Sequence, residues 1–158
     1  MLIVNAVFWF VVALLLALVE IEIEGKYGWA EKTKTWYRKR GFFPKLWGKL
    51  QGTRPETGYY LFFFLFLIFI FHSGFFFGLS WSLDKEFEIL ALFFVFAALW
   101  DFLWFVFNPN YKIKNYKKEK IWWFNKSYWV FGLFPIDYLN SVALALILSI
   151  LGGFWFIN

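Results

Sequence analysis

Four blocks of apolar residues, at about 2–22, 59–81, 87–107 and 135–156, alternate with stretches that hold nearly all the charge of the chain. Each block is close to the length of about 20 residues that an α-helix needs to cross a bilayer. In the first block Asn5 is the one polar side chain before Glu20, and Val19 runs into Glu20 rather than into a small-residue cleavage site. A retained helix is therefore expected there, not a cleaved leader. The second and third blocks are joined only by Ser82-Leu83-Asp84-Lys85-Glu86, which makes them an antiparallel hairpin. The fourth opens at Pro135, suited to a first helical turn because its missing N–H would be unpaired there anyway. The pattern predicts one all-α membrane domain over residues 1–158, with four transmembrane helices in a bundle.

The two long polar stretches are residues 25–58 and 108–134, and of all the lysines and arginines only Lys85 lies outside them. Cations collect on the cytoplasmic side of membrane proteins, so both basic connections are expected in the cytoplasm, with the N-terminus, the Asp84 link and the C-terminus outside. Neither connection reads as a free linker. Trp29, Trp36 and Trp47 are spaced by seven and eleven residues, which returns them to one face of a helix that Gly41 and Pro44 would break in two. A tryptophan stripe backed by Lys and Arg predicts an amphipathic helix lying in the headgroup layer. The second basic connection repeats the theme with Tyr111, Tyr116, Trp122, Trp123 and Trp129. Ordinary aromatic belts and topology signals explain both stretches without a ligand. The alternative is a surface for membrane lipid or an anionic headgroup, with Arg38, Lys39, Lys117 and Lys118 as its cations and Trp122 and Trp123 beside them. No nucleic-acid recognition motif accompanies the charge.

Composition sharpens this picture. A chain with 61% hydrophobic and 28% aromatic residues and a mean hydropathy of +0.58 lies outside the range of soluble domains. The absence of cysteine excludes a disulfide, a thiolate-held Fe–S cluster and a cysteine nucleophile, and a single histidine, His72, argues against His-rich metal sites and bis-histidine haem ligation. Small residues mark helix contacts: Gly74 and Gly78 in the second block, and Ser141, Ala145, Ser149 and Gly153, four apart, in the fourth. Such a stripe lets helix backbones approach closely, within one bundle or between copies in a homo-oligomer or larger complex.

The candidate chemistry lies in the acids. Glu20, Glu22 and Glu24 close the first block; on a helix Glu20 and Glu24 share a face while Glu22 points elsewhere. Asp101, seven residues before Asn108, falls roughly 10 Å inside the cytoplasmic end of the third block, between Trp100 and Trp104. Asp137 and Tyr138 begin the fourth block from the same side. An acid at such depth is costly unless it faces the bundle and finds a partner, so it marks a functional site by default. Pairing with connection lysines accounts equally for Glu22, and the helix dipole accounts for Asp137. His72, beside Ser73 and in the outer half of its block, reads as a packing histidine.

Glu20, Glu24 and Asp101 are thus the expected catalytic groups and, with Asn108, the oxygen ligands for a divalent cation such as Mg²⁺, Mn²⁺ or Ca²⁺. Trp100, Trp104 and Tyr138 would hold an apolar tail. Three functions fit: an enzyme acting on a lipid or isoprenoid-type substrate at the cytoplasmic leaflet, a non-catalytic subunit or assembly factor, and an oligomeric cation or proton transporter. The chain has no D-D-x-x-D, D-G-x-x-A-R or E-R-x-x-x-N pattern that would tie the first to a known membrane transferase.

Overall fold

The computed structural model describes residues 2–38, 41–44 and 54–153 and is mostly helical. Its elements run α1 (Leu2–Glu24), β1 (Tyr37–Arg38), β2 (Glu56–Thr57), α2 (Gly58–Phe71), α3 (Ser73–Phe76), α4 (Leu83–Phe107), two 3₁₀ turns (Ile113–Asn115 and Trp122–Phe124), β3 (Trp129–Val130), β4 (Phe134–Pro135) and α5 (Ile136–Leu151). The strands form two separate antiparallel pairs, with Tyr37 opposite Thr57 and Trp129 opposite Pro135.

Among the described residues α1 and α4 are the two helices long and apolar enough to cross a membrane. At 23 and 25 residues they extend about 35 and 37 Å, more than the hydrocarbon core of about 30 Å. With 14 and 16 residues, α2 and α5 reach only about 21 and 24 Å. The second apolar block does not form one helix to residue 81. His72 caps α2, its Nδ1 lies 2.6 Å from the Ile68 carbonyl oxygen, and Gly78 takes a left-handed φ of 103° that reverses the chain. Conversely, α4 starts four residues before the expected 87. Asp84 and Glu86, read as part of a polar link, instead occupy its first turn, where the helix dipole favours acids. Glu86 accepts from Trp81 Nε1 and pairs with His72 Nε2 at 2.9 Å, which ties the hairpin together.

Helix α4 is the centre, packed most extensively against α5 and α1. Ala13 and Ala17 on α1 are completely buried, and these small side chains let the two long helices approach closely. On α5 Ala145 is buried in the same way, and a Cβ on Gly152 would come within 3.0 Å of the Asp84 carbonyl. The small-residue stripe of the fourth block is thus used inside the chain at Ala145. Helix α2 is held by rings instead. Phe71 stacks on Trp9 at 4.6 Å and meets Phe96 at 5.1 Å, while Phe63 lies 5.0 Å from Trp100. Ring-on-ring packing keeps α2 a side-chain length from α4, and α2 and α5 barely touch, which leaves space between the three helices.

The basic connections differ from expectation. Among the described residues the expected amphipathic helix is absent from 25–38, and the connections are turns, 3₁₀ segments and short strand pairs, with a helical turn at 42–44; residues 45–53 of the expected helix lie outside the described residues. Gly25 and Gly28 adopt left-handed φ values, as do Trp29 and Ala30, and four such residues within six cannot continue a helix. Trp29 consequently turns inward and is buried, Trp36 lies against Gly58, and Trp47 falls outside the described residues. In the second connection Trp123 stacks on Phe105 at 5.9 Å, with Trp104 and Tyr111 completing the cluster.

Candidate functional site

Helical periodicity places Glu20 and Glu24 one turn apart on the buried face of α1, only 4% and 6% exposed. Glu22 is exposed. The Tyr60 hydroxyl, in the first turn of α2, approaches both acids: it lies 2.6 Å from Glu20 Oε1 and 3.0 Å from Glu24 Oε1. One phenolic hydrogen therefore serves two carboxylates. Glu24 also accepts the backbone N–H of Ala30, so the left-handed turn after α1 closes over the end of its own helix. Trp29, delivered by that turn, stacks on Tyr60 with ring centroids 3.9 Å apart and donates from Nε1 to the Pro55 carbonyl.

A second cluster is built on α4 and α5. The Tyr138 hydroxyl donates to Asp101 Oδ2, and Ser127 Oγ lies 3.2 Å from Asp137 Oδ2. Between the aspartates sits Arg54, 3.9 Å from Asp101 Oδ1 and 3.7 Å from Asp137 Oδ2. These separations are ion pairs without hydrogen-bond contact. The guanidinium is clamped at 4.5 Å from the Trp29 ring and 4.3 Å from the Phe124 ring, and its buried Nε has no acceptor. Behind this cluster, burial and then the Asp101 charge raise the Tyr116 phenol above its ordinary value, so it remains a neutral hydroxyl.

Both clusters border one cavity of ≈ 420 Å³ between α2, α4 and α5. Glu20, Arg54, Asp101, Asp137 and Tyr138 line one end; Phe64, Ile68, Phe93, Phe94, Ala97 and Leu144 line the other. Tyr60 and Trp100 also line it.

The remaining predicted positions lie elsewhere. Trp104 and Trp123 are buried in the aromatic cluster of the second connection, and Trp122 is exposed, its Nε1 3.4 Å from the Tyr27 carbonyl. Lys117 and Lys118 are exposed, and Lys39 lies outside the described residues. Arg38 pairs with Glu56 at 3.6 Å on the β1–β2 ladder. His72 is engaged with Glu86, apart from the cavity.

The expected divalent-cation site does not fit this geometry. Among the described residues no group of three or more His, Cys, Asp or Glu side chains is arranged to hold a metal ion. Glu20 and Glu24 share Tyr60, and Asp101 faces the positive charge of Arg54. Asn108 is structural: its Nδ2 donates to the Gly25 carbonyl at 2.6 Å, and its Oδ1 accepts from the N–H groups of Asn110 and Tyr111 at 2.9 and 3.0 Å. Asn108→Ala removes three hydrogen bonds of a buried side chain and is expected to destabilise the protein by about 1–3 kcal/mol. Thermal unfolding in detergent, with and without EDTA, checks this: EDTA shifts neither protein, and the loss appears in both media.

Arg54 and Tyr60 were not among the residues singled out from the sequence. Arg54 is the last cation before the second apolar block and reads there as a topology signal. Tyr60 is the second of two adjacent tyrosines at a membrane boundary, where such rings are expected in any case. Nothing local marks either one.

No known protein family, characterised protein or solved structure matches the chain. The reading of its function rests on the cavity.

Proposed function

We propose that the chain is a four-span membrane protein that holds a single-chain amphiphile, of lipid or isoprenoid type, with its head at the Arg54–Asp101 end of the cavity. One observation carries this reading: a single cavity is aromatic and aliphatic at one end and charged at the other. Its ≈ 420 Å³ falls within the range of about 300–1,000 Å³ usual for small-molecule sites. The gap between α2 and α5 supports entry sideways from the bilayer, because these two helices barely touch. As spans, α2 with α3 and α5 are short for the hydrocarbon core, and a bilayer thinned around them would accommodate the mismatch. The exposed lysines of residues 112–126 support a reading in which the charged end of the cavity faces the cytoplasmic leaflet.

In the enzymatic form of this reading, Asp101 would accept a proton at the head of the ligand and Tyr138, hydrogen-bonded to it, would deliver one. This route uses no divalent metal, since no group of three or more His, Cys, Asp or Glu side chains among the described residues is arranged to hold one. A subunit or assembly-factor role needs no cavity and has no observation of its own in its favour.

Ala97→Phe tests the reading by filling the apolar end. Protein purified in mild detergent and extracted for mass spectrometry is expected to carry an amphiphile at near-stoichiometric amount, and the variant to carry at least about tenfold less, the effect of losing roughly 1.4 kcal/mol of binding. Identical lipid complements in the two proteins would sink the proposal.

A further inference from the structure

We infer that the head of the bound amphiphile is a cation, a long-chain primary amine. The inference rests on the amphiphile-binding reading and adds the charge of the ligand. Three carboxylates, those of Glu20, Asp101 and Asp137, line the charged end of the cavity, and among the described residues Arg54 is the one cation that does. Glu24 stands directly behind Glu20, joined to it through Tyr60. Carboxyl groups therefore outnumber cations three to one in the lining of this end among the described residues. An anionic head would have to approach Arg54 past Asp101 and Asp137, which already face its two terminal nitrogens. A cationic head meets attraction instead.

The geometry of the acceptors fits an ammonium group. Asp101 Oδ1 lies beyond hydrogen-bond distance from Arg54, its nearest cation, at 3.9 Å, and the Asp101 side chain keeps 26% of its surface accessible although α4 is the central helix. Asn140 and Ser141, three and four residues along α5 from Asp137 and so about one turn away, add neutral acceptors to the cavity lining. An ammonium carries three N–H donors and no acceptor, so it satisfies such a set without leaving a donor of its own unpaired. The rings of Tyr60 and Trp100 line the same cavity, and an aromatic face attracts a desolvated cation. The stem of the ligand then runs along Phe64, Ile68 and Phe93.

The test uses the full chain in nanodiscs of zwitterionic lipid, titrated with dodecylamine, dodecanol and dodecyl phosphate and read by tryptophan fluorescence and thermal shift. Dodecylamine is expected to bind at least about tenfold more tightly than dodecanol, the effect of one charge-assisted hydrogen bond. Dodecyl phosphate is expected to bind most weakly. Asp101→Asn keeps an acceptor for Tyr138 and removes the charge; it should cost the amine about tenfold and change dodecanol affinity by less than about threefold. Glu20→Gln provides the same comparison at the opposite wall should Asp101→Asn fail to fold. Equal affinities for amine and alcohol, both abolished by Ala97→Phe, would overturn the cationic head and leave the amphiphile reading intact. Tightest binding of the phosphate would overturn it in favour of Arg54 as the headgroup ligand. Failure of all three probes to bind would overturn both readings.

Discussion

Arg54→Gln is expected to cost about 3–5 kcal/mol, the range for removing one partner of a buried ion pair. The guanidinium is 7% exposed and stands between two carboxylates, so its loss leaves Asp101 and Asp137 facing each other across a neutral side chain. Two further losses add to this. The rings of Trp29 and Phe124 lose the cation stacked between them, and Trp29 is also the ring that covers Tyr60. The melting temperature in detergent should fall more than for any single lysine variant in the exposed 112–126 segment, since solvated charges there contribute little. Pairing Arg54→Gln with Asp101→Asn should recover about 1–2 kcal/mol, because the second change removes one of the two carboxylates left unpaired by the first. A single variant within about 1 kcal/mol of the parent would mean that water, and not Arg54, balances the aspartates.

The sequence carried the parts of this architecture that depend on local periodicity. The apolar blocks become α1, α4 and α5 with ends shifted by a few residues, and the burial of Glu20 and Glu24 with exposure of Glu22 follows from helical geometry alone. Where several left-handed residues or a side chain bonded to its own helix decide the path, periodicity misleads. Trp29 and Trp36 have helical spacing in a segment whose Gly25 and Gly28 forbid a helix. His72 ends α2 although the residues beyond it are as apolar as those before. The charged end of the cavity was legible only on one side. A carboxylate within an apolar block stands out, as Asp101 does, because the energetic cost of its depth is visible in one dimension. Its partner does not stand out: Arg54 is far away along the chain and comes from a stretch already rich in cations. The cavity itself arises from the difference between small-residue contacts at α1–α4–α5 and ring contacts at α2, a property of pairs of helices that no single segment displays.

Gly28→Ala tests the part of the structure that holds the charged cluster closed. A Cβ at Gly28 would lie 2.2 Å from Trp123 Cη2, and the φ of +58° is one that alanine adopts at a cost. Trp123 cannot simply swing away, because it is 5% exposed and stacked on Phe105 within the Trp104–Tyr111 cluster. Overpacking of this kind costs about 1–3 kcal/mol, and the left-handed backbone adds about 1–2 kcal/mol. Gly25→Ala separates the two contributions: its φ is +62°, with nothing within 4 Å of the added methyl, so only the backbone cost of about 1–2 kcal/mol applies. Thermal unfolding should therefore place Gly28→Ala well below Gly25→Ala. Equal shifts would mean that Trp123 yields freely and that the turn is not packed against the second connection. The consequence reaches the cavity through the next residue. Trp29 covers both Tyr60 and Arg54, so pushing the turn away from Trp123 moves the ring that shields both buried clusters from water. Gly28→Ala should then also speed hydrogen exchange at the Ala30 amide, whose acceptor is Glu24, and Gly25→Ala should leave it protected.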